Sequence, residues 1–276
     1  MVANTNPKVS NALDVFNAVP QKHTSEIEIL GKPHTDVVES HVQGVAKKGD
    51  HYLLTHSDVH GESGLLLVSD DAKTTQTIPL PVPSIAGAVL NHVGGCQLIG
   101  DYLVIPFEAV THNVSRVSCF NVSVPGQPVE LSKPAPIKRD DHKAGAAGIA
   151  NVTVDGTELW YLAAYDNGRV DIYGSDGHAF PDTEFSCLFT TSIPNGYESL
   201  CLFAETSNQL FGIGFRRDSL GRDKGDLYRV HLDTRCLELL ESNHFVTNGL
   251  RNVHFRWGAG IDIRSANDLA LLSTGR

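Results

Sequence analysis

Nothing in this 276-residue chain is long and apolar enough to cross a bilayer. A spanning helix needs about 20 consecutive apolar residues, whereas a typical apolar stretch, Gly64–Val68 (GLLLV), has five. A membrane partner is not expected. Basic charge is also short, because 22 Lys and Arg stand against 32 Asp and Glu for a formal net charge of −10. That leaves no basic face to neutralise phosphates, so nucleic acid is not an expected partner. The N-terminus, MVANTNPKVSNALDVF, lacks the basic stretch and apolar segment of a secretory signal. Cysteines are few and odd in number (Cys96, Cys119, Cys187, Cys201, Cys236), and no pair has the C-x-x-C spacing of zinc or redox sites. Buried free thiols in a reducing cytoplasm are the expectation. There is no G-x-S-x-G, H-E-x-x-H, Walker or EF-hand motif, and no segment shows helical periodicity over three turns. What remains is an ordinary globular balance of 41% hydrophobic and 20% charged residues.

What is present is a repeat. A five-residue pattern reads HVQGV from His41, HVGGC from His92, GAAGI from Gly145, YESLC from Tyr197 and WGAGI from Trp257, with starts 51, 53, 52 and 60 residues apart. After each copy come a turn and an apolar strand (HYLLTHSD, DYLVIPFE, LWYLAAYD, LFGIGFRR, DLALLSTG). Period-two stretches such as RVSCFNV, RVDIYG and DLYRVHL follow, and each full unit ends in a fourth β-rich run such as QTIPLPV or CLELLES. Turn pairs punctuate the strands at Gly49-Asp50, Gly100-Asp101, Asp155-Gly156, Asn167-Gly168 and Asp176-Gly177.

Four-stranded units of about 50 residues imply a β-propeller. The expectation is one all-β domain over residues 1–276, a five-bladed propeller. Its blades run approximately over 41–84, 91–138, 143–192, 196–246 and 252–276, the last completed by strands from 11–33. Those N-terminal strands would be Ala12–Val19 (ALDVFNAV) and Ser25–Gly31 (SEIEILG), closing the ring and protecting its edges. The chain thus resembles the five-bladed propeller superfamily over nearly its whole length, in architecture and not in any one activity. Gly44, Gly95, Gly148 and Gly260 share one repeat position, with Leu200 the exception, and small residues there suit close packing of innermost strands at an axis.

In a propeller the loops that enter each blade share a face with those between second and third strands, and functional groups gather there. His41 and His92 hold the same repeat position on adjacent blades. With His142 and His254 they form a candidate set for a divalent metal such as zinc, iron or manganese. Without a metal, His41 or His92 would act as base and Glu198 or Tyr197 as acid. Arg256 and Trp257 would clamp an anionic substrate against an aromatic wall, and Glu108, Asp166 and Arg216 complete the substrate-binding set. The resulting expectation is an enzyme of hydrolase, lyase or isomerase type acting on a small molecule. Its rival is a noncatalytic binding propeller, lectin-like or protein-binding. Five-bladed glycosidases carry two or three acids on their innermost strands, and only Glu198 occupies such a position here. Two loops also draw notice: Thr55–Gly64, with His56, Asp58, His60 and Glu62, and Ser219–Asp226, a mixed-charge candidate lid.

Overall fold

A computed structural model describes residues 7–22, 24–25, 41–57, 64–70, 75–247 and 253–275. Strands dominate them. The first sheet has six strands, of which β1 (His41–Lys48), β2 (His51–Ser57), β3 (Leu65–Asp70) and β4 (Thr75–Pro79) run in sequential antiparallel order, and the two C-terminal strands continue it beyond β1. A short hairpin of β5 (Ser84–Ile85) and β6 (Ala88–Val89) leads to the second. There the first strand is interrupted, as β7 (His92–Val93) and β8 (Gln97–Ile99), because Gly94, Gly95 and Cys96 break the ladder between them. Both pieces pair with β9 (Tyr102–Glu108), followed by β10 (Ser115–Asn121), which pairs with β11 (Val129–Glu130) and β12 (Ile137–Arg139).

Two regular four-stranded antiparallel sheets follow. One is β13 (Ala146–Val154), β14 (Thr157–Asp166), β15 (Arg169–Ser175) and β16 (Phe185–Ser192). The other is β17 (Tyr197–Ala204), β18 (Leu210–Arg217), β19 (Asp223–His231) and β20 (Cys236–Phe245). The last unit is the hairpin of β21 (His254–Ser265) and β22 (Asp268–Thr274). The turn chemistry has its expected effect: Asp155-Gly156 and Asn167-Gly168 take positive φ at both residues, as tight two-residue hairpins require.

First strands of successive units lie side by side. Gly95 bridges Ala146 in parallel, β13 packs on β17, β17 on β21, and Gly44 of β1 bridges Ala259 of β21. Glycine is required at these approaches. A Cβ on Gly44 would lie 2.4 Å from the Cys96 nitrogen, and one on Gly260 would lie 1.9 Å from the Val45 oxygen, distances no side chain tolerates. Among the described residues, the buried apolar side chains fall into five clusters, four of which join consecutive units. The fifth joins Val42, Val45, Leu54 and Leu67 of the first unit to Leu272 of the last.

The N-terminus departs from expectation. Ala12–Ala18 is an α-helix, α1, not a strand. Asn11 caps it, its side chain accepting from the Asp14 N–H at 3.0 Å. Ala12, Val15, Phe16 and Val19 stand at i, i+3, i+4 and i+7, so one face is apolar. That face buries itself against Phe215, Phe245 and Phe255, in the cluster between the fourth unit and the last hairpin. Burial of a side chain such as Phe16 contributes roughly 2–3 kcal/mol, more than a seven-residue helix gains from propensity. Short parallel bridges, Val9 with Glu205 and Lys22 with Val246, tie the segment to the fourth unit. Apart from Ser25, the second expected strand, Ser25–Gly31, lies outside the described residues. The thiols differ too: Cys96, Cys119 and Cys201 are buried, but Cys187 is exposed and Cys236 partly so.

Candidate functional site

The innermost edges of the first strands need hydrogen-bond partners, and Gln97 supplies them for two of these strands. Both N–H and C=O of a given strand residue point to the same side, so an edge facing the axis is left with paired donors and acceptors. Gln97 meets two such edges at once. Its Nε2 donates to the carbonyls of Ile149 (3.0 Å) and Leu202 (2.6 Å), and its Oε1 accepts from their N–H groups at 3.0 and 2.8 Å. Every hydrogen-bonding position of that amide is used.

Gln43 does a different job at the other end of the first strands. Its Nε2 lies 2.6 Å from His41 Nε2 and 3.1 Å from His92 Nε2. The two imidazoles stand edge to face, 6.4 Å between centroids. An amide NH2 group donates, so both Nε2 atoms accept, and the proton of each neutral ring sits on Nδ1. His92 Nδ1 in turn lies 3.1 Å from Glu108 Oε1, out of line for a hydrogen bond, and Glu108 Oε2 has no hydrogen-bond partner. Glu108 is only 8% exposed. A buried carboxylate oxygen without a donor costs about 1–3 kcal/mol, which a bound donor would recover.

Asp166, at the end of β14, belongs to the same surroundings. Burial, and then the charge of Glu108, raise its pKa above the ordinary carboxylate value, against the pull of Arg139, Lys143 and His142. Glu198 is also pushed up by burial, opposed by the Arg256 charge. Its backbone lies near the axis, since a Cβ on Gly95 would stand 3.3 Å from the Glu198 carbonyl oxygen. Carboxyls with raised pKa values are suited to hold and donate protons.

Other candidates are placed elsewhere. Tyr197 is turned into the fold, its ring filling the space Gly214 leaves open, where a Cβ would lie 2.6 Å from Tyr197 Cε1. Its hydroxyl donates to Asp226 at 2.5 Å and lies 2.6 Å from the Tyr228 hydroxyl. Burial, with Asp226 and Tyr228 beside it, drives its pKa far up, so it holds its proton and supports the fold. Arg216 is committed to the same network, with Nε 3.0 Å from Asp226 and its guanidinium over the Tyr197 ring. Arg256 is exposed, and the side chain of Trp257 lies outside the described residues.

The four-histidine metal set does not assemble. His142 is occupied by Asp141 at 2.8 Å and by the Arg169 guanidinium. His254 is buried at the start of β21, where burial, then the charges of Arg217 and Arg256, lower its pKa to about 4. Guanidinium groups beside both rings oppose a bound cation. Among the described residues, no group of three or more His, Cys, Asp or Glu side chains is arranged to hold a metal. In the first loop His56 is buried in β2, while Asp58, His60 and Glu62 lie outside the described residues. The expected lid is a tight turn. Asp218 and Arg222 close it through backbone and side-chain bonds, and Asp223–Asp226 already belong to β19.

No protein-family model matches the chain, and no curated protein does. Among solved structures, NanB together with optactamide is similar to it, at 9% sequence identity and a TM-score of 0.41, over 76% of this chain and 32% of that one. The chain therefore spans 32% of that protein's length. Likeness at this level carries neither an activity nor a substrate to this chain.

The buried His254 has a measurable consequence. Its folded pKa near 4 lies below the unfolded value of about 6.5, so the unfolded chain binds more protons between these values, and stability falls as pH drops from 6.5 to 4. The loss should reach about 3 kcal/mol at pH 4. Urea denaturation of the protein and of His254→Gln at pH 7 and pH 4 checks this. The variant should lose about 3 kcal/mol less on acidification, and an equal loss in both would refute the assignment.

Proposed function

We propose that the chain is a single closed five-bladed β-propeller, and that it is an enzyme performing acid–base chemistry on a small polar molecule beside His41, His92 and Glu108. Five interfaces support the closed ring, the fifth running between the first and last units. In the same reading α1 covers the final hairpin. The observation that carries the function is the Glu108–His92–Gln43–His41 cluster: two imidazoles share one amide, and a buried carboxylate backs one of them. A substrate hydroxyl would displace Gln43 from His92 Nε2 and give up its proton there, while Glu108 stabilises the imidazolium that forms. Asp166 or Glu198, each with a raised pKa, returns a proton to the leaving group or to the adjacent carbon. This chemistry fits hydrolysis, elimination or isomerisation.

The test is turnover of a library of sugars, sugar acids and hydroxy acids, followed by NMR, for the protein and for His92→Gln and Glu108→Gln. One class should be converted, and each variant should slow that conversion by about 100-fold or more with an unchanged melting temperature. Conversion by both variants at the parent rate would overturn the proposal. So would a parent protein that converts no compound and whose His41 and His92 ring signals move with none.

A further inference from the structure

We propose that the cavity at the opposite end of the first strands binds a small zwitterion, carrying one ammonium and one carboxylate, between Asp262 and Lys47. The cavity holds about 280 Å³ and is lined by the C-terminal part of one first strand from every unit, β1, β8, β13, β17 and β21, together with Pro7 and Lys8. That volume is near the lower end of small-molecule sites, about 300 Å³. Gln97 forms part of its wall and is saturated by the backbones of β13 and β17. His41 lies six residues up β1 from Lys47, about 20 Å away at the rise of a strand. The cavity is therefore separate from the histidine cluster.

Its charges decide the ligand. Three of the ten lysines of this acidic chain line it: Lys8, Lys47 and Lys48. Two are spent. Lys48 is ion-paired with Asp101 and donates to the Gly100 carbonyl at 3.2 Å, and Lys8 donates to Asn208 Oδ1 at 2.7 Å. The Lys47 ammonium stands over the Tyr52 ring, 5.6 Å from its centroid. Its charge acts on Asp262 of the neighbouring strand β21, yet among the described residues the two share no ion pair. Burial raises the Asp262 pKa, with Lys47 and Arg264 opposing it, so the carboxylate lacks the solvation it had in water.

Opposite charges that face one cavity without touching favour a molecule that bridges them. An ammonium at Asp262 and a carboxylate at Lys47 add a charge-assisted hydrogen bond at each end. A lone anion leaves Asp262 unsatisfied and repels it. A lone cation leaves the Lys47 ammonium without a partner and is repelled by it.

The experiment follows backbone amide signals of the full chain during titration with 4-aminobutyrate, butyrate and butylamine at matched ionic strength. 4-Aminobutyrate should move the signals of Gly49, Gly100 and Asn151 to saturation, and should bind about tenfold or more tightly than either single-charge analogue. Lys47→Met and Asp262→Asn should each weaken it by about tenfold, whereas Lys47→Arg, which keeps the charge, should retain it. Circular dichroism melts confirm that each variant is folded. A response to 4-aminobutyrate that does not saturate, an equal response to butyrate or butylamine, or undiminished binding in both neutralised variants would overturn the proposal.

Discussion

Replacing Gln97 by leucine should lower the unfolding free energy by about 4 kcal/mol, because one side chain closes four hydrogen bonds to two strands that are not neighbours of it in sequence. Leucine is of similar volume, so packing changes little. The N–H groups of Ile149 and Leu202 lose their acceptor in a buried place, at about 1–3 kcal/mol each, and two carbonyls lose their donor. Equilibrium urea denaturation measures this as a fall in midpoint at constant slope. A loss below about 1 kcal/mol would mean that water takes over the amide's role.

Asp226→Ala should cost about 3–5 kcal/mol, the usual consequence of removing the buried member of a charge network. Asp226 is 1% exposed and accepts from Tyr197 Oη and Ser242 Oγ at 2.5 Å each, from Arg216 Nε at 3.0 Å and from Lys224 Nζ at 3.1 Å. Burial works against its ionisation, but Ser242, Tyr197 and Lys224 outweigh burial and hold its pKa below the ordinary carboxylate value. The sign follows from that direction. Stability from Asp226 is fully present above the unfolded carboxylate pKa near 3.9 and is lost as pH falls through the lower folded value. Its acid limb therefore lies below that of His254, and comparing Asp226→Ala with His254→Gln across pH separates the two. Tyr197→Phe should cost less, about 1 kcal/mol, since it strands no charge.

Much of the strand order was legible because a strand pattern and a turn dipeptide are local signals. Asp155-Gly156 and Asn167-Gly168 announce their conformation by residue type alone, and the glycines at one repeat position mark where backbones approach. The helix at Ala12–Ala18 was readable in the spacing of Ala12, Val15, Phe16 and Val19 behind an Asn cap. It was missed because seven residues make only two turns, and the same letters also read as a completing strand. The histidine pair was legible by repeat position. Gln43 was not marked as a site residue, because nothing local distinguishes an amide that bridges two rings from one that faces solvent.

By itself, the order of residues determined the all-β class, the positions of most strands and the turns between them, since those depend on neighbours one to four residues away. The tertiary structure decided what each polar group does. It turned Tyr197 inward onto Asp226, spent Arg216 there, and set Arg169 against His142. It also brought Gln97 to Leu202 across 105 residues of chain. Such partners are chosen by which backbone edges and charges burial leaves unsatisfied, and that is known only once the sheets have packed.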